Sequence, residues 1–130
     1  MKPYEEIILP ESELETMNAI WAAEEALDRP IYTRDIMEYG TDYLRGLKMT
    51  TVLTLISRLL YKQFIRIQKV GRSNFYTATV KHADYQKRAY RNFLEGTFRS
   101  DRRDLAALLI ADLSGEELAK AREIVTAAEK

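Results

Sequence analysis

Apolar residues recur at helical spacing near the start of the chain. Leu14, Met17 and Trp21 lie three and four residues apart, and Ile20 lies beside them. Because residues at this spacing share one side of an α-helix, we predict an amphipathic helix over about residues 12–26, with its acidic residues facing water. This helix has one side available to pack against the rest of its domain.

Polar residues mark where the next elements begin and end. Ser12 is followed three residues later by a glutamate, the spacing of a capping box, which predicts Ser12 as the N-cap of the first helix. Asp28-Arg29-Pro30 ends that helix, and Ile31-Tyr32 is predicted to be a short extended segment. Thr33 is predicted to cap a second short helix that ends at Gly40, and a polar loop follows.

A third predicted helix, over about residues 49–62, has two contrasting faces. At 100° per residue, the aliphatic face contains Val52, Leu55, Ile56 and Leu59. The opposite face contains Thr50, Thr54, Ser57 and Tyr61, with Thr51 and Arg58 at its border. The sequence therefore predicts one packed face and one exposed face of hydroxyl groups with a basic edge.

A β-hairpin is predicted to follow. Residues 65–70 alternate with period two, and residues 75–80 are rich in strand-forming types. Gly71-Arg72-Ser73-Asn74 between them has the composition of a turn. The tip of this hairpin is basic.

The remaining residues are predicted to form three helices, over about residues 82–99, 100–113 and 114 onwards, the last opened by a capping box at Ser114. This last helix is predicted to bury Leu118, Ala121, Ile124 and Val125. The apolar stripes of the three helices are extensive, and exposed apolar patches of that size usually mark an interface. We therefore predict dimerisation through Tyr85, Tyr90, Phe93, Leu94, Phe98, Leu105, Leu108, Leu109, Leu113, Leu118 and Ile124. The alternative is that these stripes pack within one chain.

Composition excludes several kinds of chemistry. The 130 residues include no cysteine and one histidine, His82, so thiolate metal sites, thiol nucleophiles and a histidine-containing zinc site are not expected. We predict no catalytic residue, no metal and no cofactor. No apolar run is long enough to span a membrane, and the start of the chain turns acidic where a signal peptide is basic, so we expect a cytoplasmic protein.

The zero net charge hides a basic middle. Residues 1–30 carry two basic and eight acidic side chains, residues 31–80 carry eight and three, residues 81–103 carry seven and three, and residues 104–130 carry three and six. A polyanion such as DNA responds to the local field of a basic face, so overall neutrality does not exclude nucleic acid as a partner.

Three helices followed by a two-stranded hairpin is the order of a winged helix-turn-helix domain. We therefore predict a mainly α protein with a small β-hairpin, organised as a winged helix over residues 1–80 and a helical dimerisation region over residues 81–130. In this fold the third helix enters the major groove and the hairpin contacts the DNA backbone. The residue types required for those contacts are present at Lys48, Thr50, Thr54, Ser57, Arg58, Lys62, Lys69, Arg72, Ser73 and Asn74.

Several segments together resemble one family. They are Glu11-Ser12-Glu13-Leu14-Glu15-Thr16-Met17 with Ile20-Trp21, Thr33, the stretch Thr50–Leu59, Gly71-Arg72, Phe75-Tyr76-Thr77 and Leu113–Leu118. In these segments the chain resembles, over nearly its whole length, the penicillinase and methicillin-resistance repressors (the BlaI/MecI/CopY type). The resemblance implies a homodimeric transcriptional repressor on a palindromic operator of double-stranded DNA. It also implies groove contacts by Thr50, Thr51 and Thr54, backbone contacts by Arg58 and Arg72, and an upstream sensor or protease as a further partner.

The chain departs from this family in four places. It lacks the cysteine pair motif of copper-responsive members, which excludes copper sensing by thiolates. Residues 105–109 read Leu-Ala-Ala-Leu-Leu where the β-lactam-responsive branch has a cleaved Asn-Phe bond, so release by that cleavage is not predicted. Leu53 is apolar where the family often has a polar residue, and it either contacts a thymine methyl group or lies exposed. Gln63-Phe64 replaces a usual glycine, which is expected to alter the turn into the hairpin.

Two other functions compete with DNA binding. A winged helix also serves as a protein-interaction module, in which the same helix and hairpin bind a protein partner. An enzyme is the weakest alternative, because the adjacent carboxylates of Glu24-Glu25 and Glu116-Glu117 point about 100° apart on a helix and do not converge on a substrate.

Overall fold

The computed structural model describes residues 6–130. Within them the chain forms seven helices and three strands. In chain order these are α1 (Glu11–Ala26), β1 (Ile31–Tyr32), α2 (Thr33–Tyr39), α3 (Thr41–Leu44), α4 (Met49–Tyr61), β2 (Ile65–Val70), β3 (Ser73–Ala78), α5 (His82–Thr97), α6 (Arg102–Asp112) and α7 (Gly115–Ala128). This order confirms the predicted fold class, a mainly helical winged helix with a small antiparallel sheet.

The chain divides into two compact units between Arg88 and Ala89. The first unit contains the elements from α1 to β3 and the start of α5. The second contains the rest of α5 together with α6 and α7. Within residues 6–130, no helix combines the length and the apolar character that crossing a bilayer requires.

α1 begins one residue before the predicted cap. Pro10 is the N-cap, its carbonyl accepts a hydrogen bond from the Leu14 amide, and Ser12 lies inside the first turn. The prediction of Ser12 as N-cap is wrong, because the chain is already helical at Glu11 and the Ser12 hydroxyl makes no capping bond. The Ser12 carbonyl instead accepts a hydrogen bond from the Thr16 hydroxyl at 2.9 Å.

The predicted apolar side of α1 forms the centre of the first unit. Met17, Ile20 and Trp21 are buried, and Leu14 is half-buried. The indole N–H of Trp21 donates to the carbonyl of Val80 at 3.0 Å, and the Trp21 ring stacks on the His82 ring with centroids 4.5 Å apart. The start of α5 is thereby fixed to α1, and His82 has a packing role.

α2 begins at Thr33, one residue before the predicted start at Arg34, and its N-cap is Tyr32. Thr33 is its first helical residue, and the carboxylate of Asp35 accepts a hydrogen bond from the Tyr32 amide at 2.8 Å. The prediction of Thr33 as the cap is therefore wrong. The hydrogen-bond acceptor for the free amide at the start of the helix is the side chain of Asp35, which lies in the first turn. Gly40 ends α2 as predicted. The single turn α3, predicted as loop, begins directly after it.

The three strands form one antiparallel sheet in the order β1-β3-β2. Ser73 pairs with Val70 and Asn74 pairs with Lys69, so the hairpin turn contains only Gly71 and Arg72. The predicted four-residue turn is wrong because the strand pairing continues to the tip. Gly71 has a φ of 62°, which a two-residue hairpin turn requires at its first central position and which glycine adopts without a steric cost.

Gln63 preserves the turn between α4 and the hairpin. Its φ is 64°, its amide donates to the Leu60 carbonyl, and the Phe64 amide donates to the Leu59 carbonyl. These two bonds form a Schellman motif, and Phe64 and Leu59, which occupy the two positions of its usual apolar contact, are both buried. The replacement of glycine therefore leaves the turn intact, at a steric cost of about 1 kcal/mol for a left-handed residue with a side chain.

The second unit has well-capped helices and little buried surface. The Asp101 carboxylate accepts from the Asp104 amide at the start of α6, and Ser114 and Glu117 form the predicted capping box of α7. No residue of α6 or α7 is buried. The predicted burial of Ile124 and Val125 is wrong for the single chain, because nothing among residues 6–130 covers that side of α7 and both side chains are exposed.

Asp35 is expected to make stability depend on acid pH. Its buried carboxylate accepts from the two terminal guanidinium nitrogens of Arg29 at 2.8 Å and from the Tyr32 amide, and the hydrogen bonds from Arg29 lower the pKa of Asp35 to about 2. Because the folded pKa lies below the ordinary value of 3.8, this stabilisation is present above about pH 4 and is lost as the pH falls towards 2. Asp35→Ala should lower the free energy of unfolding by about 2 kcal/mol at pH 7.

Urea denaturation at pH 7 and at pH 2.5 tests this expectation. The difference between the wild type and Asp35→Ala should shrink at the lower pH. Glu38→Gln, which removes an exposed carboxylate from the same helix, is the matched control and should change stability little at either pH. A difference for Asp35→Ala that stays constant with pH would contradict the assignment.

Candidate nucleic-acid interface

The orientation of α4 is fixed by its aliphatic face. Val52, Leu55, Ile56 and Leu59 are all buried, as predicted from their spacing. Burial of four branched side chains on one side leaves little freedom for the helix to rotate about its axis. The opposite face is therefore held towards solvent.

Small hydroxyl side chains occupy that solvent face. The side chains of Thr50, Thr51, Thr54, Ser57 and Arg58 are all exposed. The Thr54 hydroxyl donates to the carbonyl of Thr50 at 3.1 Å, so its oxygen remains available as an acceptor. A helix with an exposed face of this kind can approach base edges closely and present short donors and acceptors to them.

The basic residues at the two ends of α4 differ in availability. Lys48, the N-cap of α4, is exposed. Lys62 is half-buried and its ammonium pairs with the carboxylate of Glu13, which is buried in α1. This ion pair within the chain competes with the predicted contact between Lys62 and DNA phosphate. The expectation that the acids of α1 face water is wrong at Glu13, which is buried.

The tip of the hairpin carries the remaining predicted contacts. Lys69, Arg72, Ser73 and Asn74 are all exposed around the glycine turn. Residues 48–74 as a whole contain six basic side chains and no aspartate or glutamate. α4 and the hairpin therefore lie in a stretch of chain whose local field attracts polyanions.

A polar groove beside the hairpin was not predicted. It has a volume of about 360 Å³ and is lined by Tyr32, Thr33, Arg34, Ser73 and Asn74. The Arg34 guanidinium lies 5.4 Å from the centre of the Tyr32 ring and forms no ion pair among residues 6–130. The sequence signal for this groove was Arg34, a basic residue at the start of α2. Its position relative to the hairpin becomes known only once β1 is known to pair with β3.

The apolar side chains of the second unit line a groove of about 710 Å³ formed by Ala89, Tyr90, Phe93, Arg102, Leu105, Ala106 and Leu109. Of the predicted dimerisation residues, the exposed ones are Tyr90, Phe93, Leu108, Leu109 and Ile124, and the half-buried ones are Phe98, Leu105, Leu113 and Leu118. The rings of Phe93 and Phe98 meet edge to face at 5.1 Å. Two exposed residues outside that prediction, Ile110 and Val125, add to the apolar surface.

Two predicted dimerisation residues are buried within the single chain. Tyr85 is 4% exposed, its ring lies 5.8 Å from that of Trp21 and 6.0 Å from that of Phe64, and its hydroxyl accepts from the Leu9 amide. Leu94 is 2% exposed. A partner cannot reach side chains that their own chain covers, so Tyr85 belongs to the core of the first unit and Leu94 is not a contact surface.

The paired carboxylates have structural partners. The Glu24 carboxylate accepts from the amide of Ala78 at the end of β3, and burial raises the pKa of Glu24 above its ordinary value. Glu117 closes the capping box of α7, and the backbone hydrogen bond from Ser114 lowers the pKa of Glu117. Both carboxylates therefore stabilise local structure, Glu24 at the end of β3 and Glu117 at the start of α7.

Comparison with known proteins covers nearly the whole chain. Residues 9–127 match the sequence model of a family described as penicillinase repressor. A relative in Latilactobacillus sakei, an uncharacterized 16.5 kDa protein in the ptsI 3' region, is 28% identical over 118 residues, which are 89% of this chain and 77% of that protein. The family match spans the winged helix and the C-terminal helices almost to their end.

Proposed function

Because the chain belongs to the penicillinase repressor family, we propose that it is a sequence-specific repressor of transcription that binds a palindromic operator as a homodimer. The observation that carries this proposal is the exposed hydroxyl face of α4, which precedes an exposed basic hairpin in a segment without acidic residues. A winged helix uses its recognition helix and its hairpin in this way to bind duplex DNA.

The proposed contacts divide into two classes. Thr50, Thr51, Thr54 and Ser57 form hydrogen bonds with base edges in the major groove, which gives sequence preference. Lys48, Arg58, Lys69 and Arg72 contact phosphates, and Ser73 and Asn74 add hydrogen bonds to the backbone next to the turn. Arg34 joins this second class because its groove includes Ser73 and Asn74.

The proposed dimer forms through the second unit. Its exposed apolar side chains lie on α5, α6 and α7, and the single chain buries no residue of α6 or α7. Large apolar surfaces of this kind are stabilised by a partner. A twofold dimer presents two recognition helices to two half-sites, which matches the symmetry of a palindrome.

Selection of bound fragments from a random pool of duplex DNA tests the proposal with the full-length protein. The expected result is a palindromic consensus. Affinity for a selected duplex should fall by about 0.9 decade per decade of salt for each phosphate contact. Failure to enrich any sequence, together with affinity that does not depend on salt, would contradict DNA binding and would favour a protein-interaction module.

Arg72→Ala and Thr54→Val are expected to have different effects on DNA binding. Removal of the exposed guanidinium should weaken binding to all sequences similarly and lower the salt slope by about 0.9. Removal of the hydroxyl should change affinity by about five-fold at one base pair of each half-site, while the salt slope stays the same. Fluorescence anisotropy titrations with selected and scrambled duplexes measure both effects.

Each of these variants has a matched control in α7. Lys120→Ala removes an exposed positive charge, and Thr126→Val removes a hydroxyl that donates to the carbonyl four residues earlier, as the Thr54 hydroxyl does. Neither control should change the salt slope or the sequence preference. If Arg72→Ala and Thr54→Val behave like their controls, the assignment of the interface is wrong.

A further inference from the structure

In addition to Tyr61, which is 89% exposed, α4 exposes two apolar side chains at the edge of its hydroxyl face. Leu53 is 40% exposed and Met49 is 47% exposed, whereas the four aliphatic residues of the packed face are at most 4% exposed. The two residues are four positions apart, so they lie next to each other on the first turns of the helix. Neither belongs to the core, and a polar residue at either position would be better solvated.

Leu53 lies at the edge of the hydroxyl face of α4. Its neighbours three and four positions away are the exposed Thr50 and Ser57 on one side, and Met49 and the buried Ile56 on the other. Thr54 follows it directly in sequence. Leu53 therefore approaches DNA together with the hydroxyl groups, in a stretch that has no carboxylate to repel a polyanion.

The chemistry of the major groove identifies a ligand for this pair of side chains. The 5-methyl group of thymine is the apolar group that a base pair presents there, and apolar side chains contact it. We propose that Leu53, supported by Met49, contacts thymine methyl groups of the operator and makes thymine a required base in each half-site. This inference rests on the proposed function and adds a specificity contact that hydrogen bonding does not provide.

The polar neighbours favour DNA over a protein partner for this contact. A protein-binding surface has an apolar centre with charged residues at its rim. Here two apolar side chains lie beside exposed hydroxyl groups, and residues 48–74 carry six basic side chains. That combination complements the mixed polar and methyl surface between two phosphate backbones.

Deoxyuridine substitution tests the contact, because uracil differs from thymine only by the missing methyl group. In a duplex selected by the wild-type protein, each thymine is replaced in turn and the dissociation constant is measured by anisotropy. At one or two thymines per half-site, loss of the methyl group should weaken binding by about four-fold, the value of one buried methyl group. Leu53→Ala should weaken binding to the thymine duplex by a similar factor and should no longer distinguish thymine from uracil there.

Two further variants make the test specific. Leu53→Met retains an apolar side chain and should keep the preference for thymine over uracil. Ile67→Ala removes a side chain of similar exposure, 45%, from β2, and should also keep that preference. Circular dichroism should show unchanged helicity for Leu53→Ala, since alanine favours helix at an exposed position.

The outcomes separate this inference from the proposed function. Sequence-specific binding in which no thymine is sensitive to loss of its methyl group, or in which Leu53→Ala is as sensitive as the wild type, overturns the thymine contact and leaves the repressor proposal standing. If the wild type enriches no sequence from the pool, both proposals are wrong. If the face binds a protein, Leu53→Ala should weaken that complex, and affinity for DNA should not depend on any methyl group.

Discussion

We expect Leu109→Glu to convert the protein from a dimer into a monomer and to weaken operator binding by about 100-fold. Leu109 is 57% exposed on α6 and lines the apolar groove with Tyr90, Phe93 and Leu105. In the proposed dimer a partner covers this side chain, and a glutamate there would bury an unpaired charge. Loss of the dimer also removes the second recognition helix, so each winged helix binds its half-site independently.

Sedimentation equilibrium and anisotropy measure the two effects on the same samples. The wild type should sediment with twice the chain mass of 15.1 kDa, as a dimer. Leu109→Glu should sediment with the mass of one chain. The matched control is Ala107→Glu, which introduces the same charge at an exposed position about 160° around α6 from Leu109. This control should remain dimeric. A monomeric wild type, or a Leu109→Glu variant that still sediments as a dimer, would contradict the proposed dimer surface.

The sequence correctly predicted the elements that depend on patterns of residues close together in the chain. The two faces of α4 follow from the 3.6-residue period, and the structure buries the four aliphatic residues and exposes the hydroxyl groups at the predicted positions. The capping box at Ser114 and the glycine at the hairpin turn are also local, since each depends on a few adjacent residues. Local interactions fix these features before the chain is packed, so one sequence is enough to identify them.

The features that the sequence missed come from contacts between distant residues. Lys62 was predicted to face phosphate, but Glu13 lies 49 positions earlier and pairs with it only after α1 packs against α4. Tyr85 belongs to an aromatic stripe that suggested an interface, whereas the contacts with Trp21 and Phe64 place it in the core. Periodicity shows that a side chain is apolar and on one face, but it does not show which segment covers that face.

Gln63 illustrates a different limit of sequence comparison. Replacement of a usual glycine led to the expectation of an altered turn, yet the left-handed conformation is retained at a φ of 64°. Two backbone hydrogen bonds and the burial of Phe64 fix the conformation there, so the steric cost of the side chain is tolerated. The backbone geometry of the turn between α4 and the hairpin is therefore determined more by the surrounding packing than by the residue type at position 63.

Gly40→Ala is expected to lower the free energy of unfolding by about 2 to 3 kcal/mol. A Cβ at this position would lie 2.5 Å from the Cβ of Ala19, 2.5 Å from the carbonyl oxygen of Ile36 and 2.9 Å from Cδ1 of Leu44. The φ of −95° suits any residue, so the cost comes from lack of space where α2 ends against α1. Two of the three obstructing groups cannot rotate away, because one is backbone and the other is a methyl group on a helix.

Urea denaturation at one protein concentration measures this loss, and Gly96→Ala is the matched control. A Cβ at Gly96, inside α5, meets no atom within 4 Å, so alanine there should raise stability by about 0.5 to 1 kcal/mol through its higher helix propensity. Glycine to alanine should thus lower the free energy of unfolding at position 40 and raise it at position 96. This difference in sign separates the effect of crowding from that of helix propensity. Gly40→Ala with wild-type stability would mean that α1 and α2 can move apart freely, and the packing that holds the helices of the winged unit in place would then have to be revised.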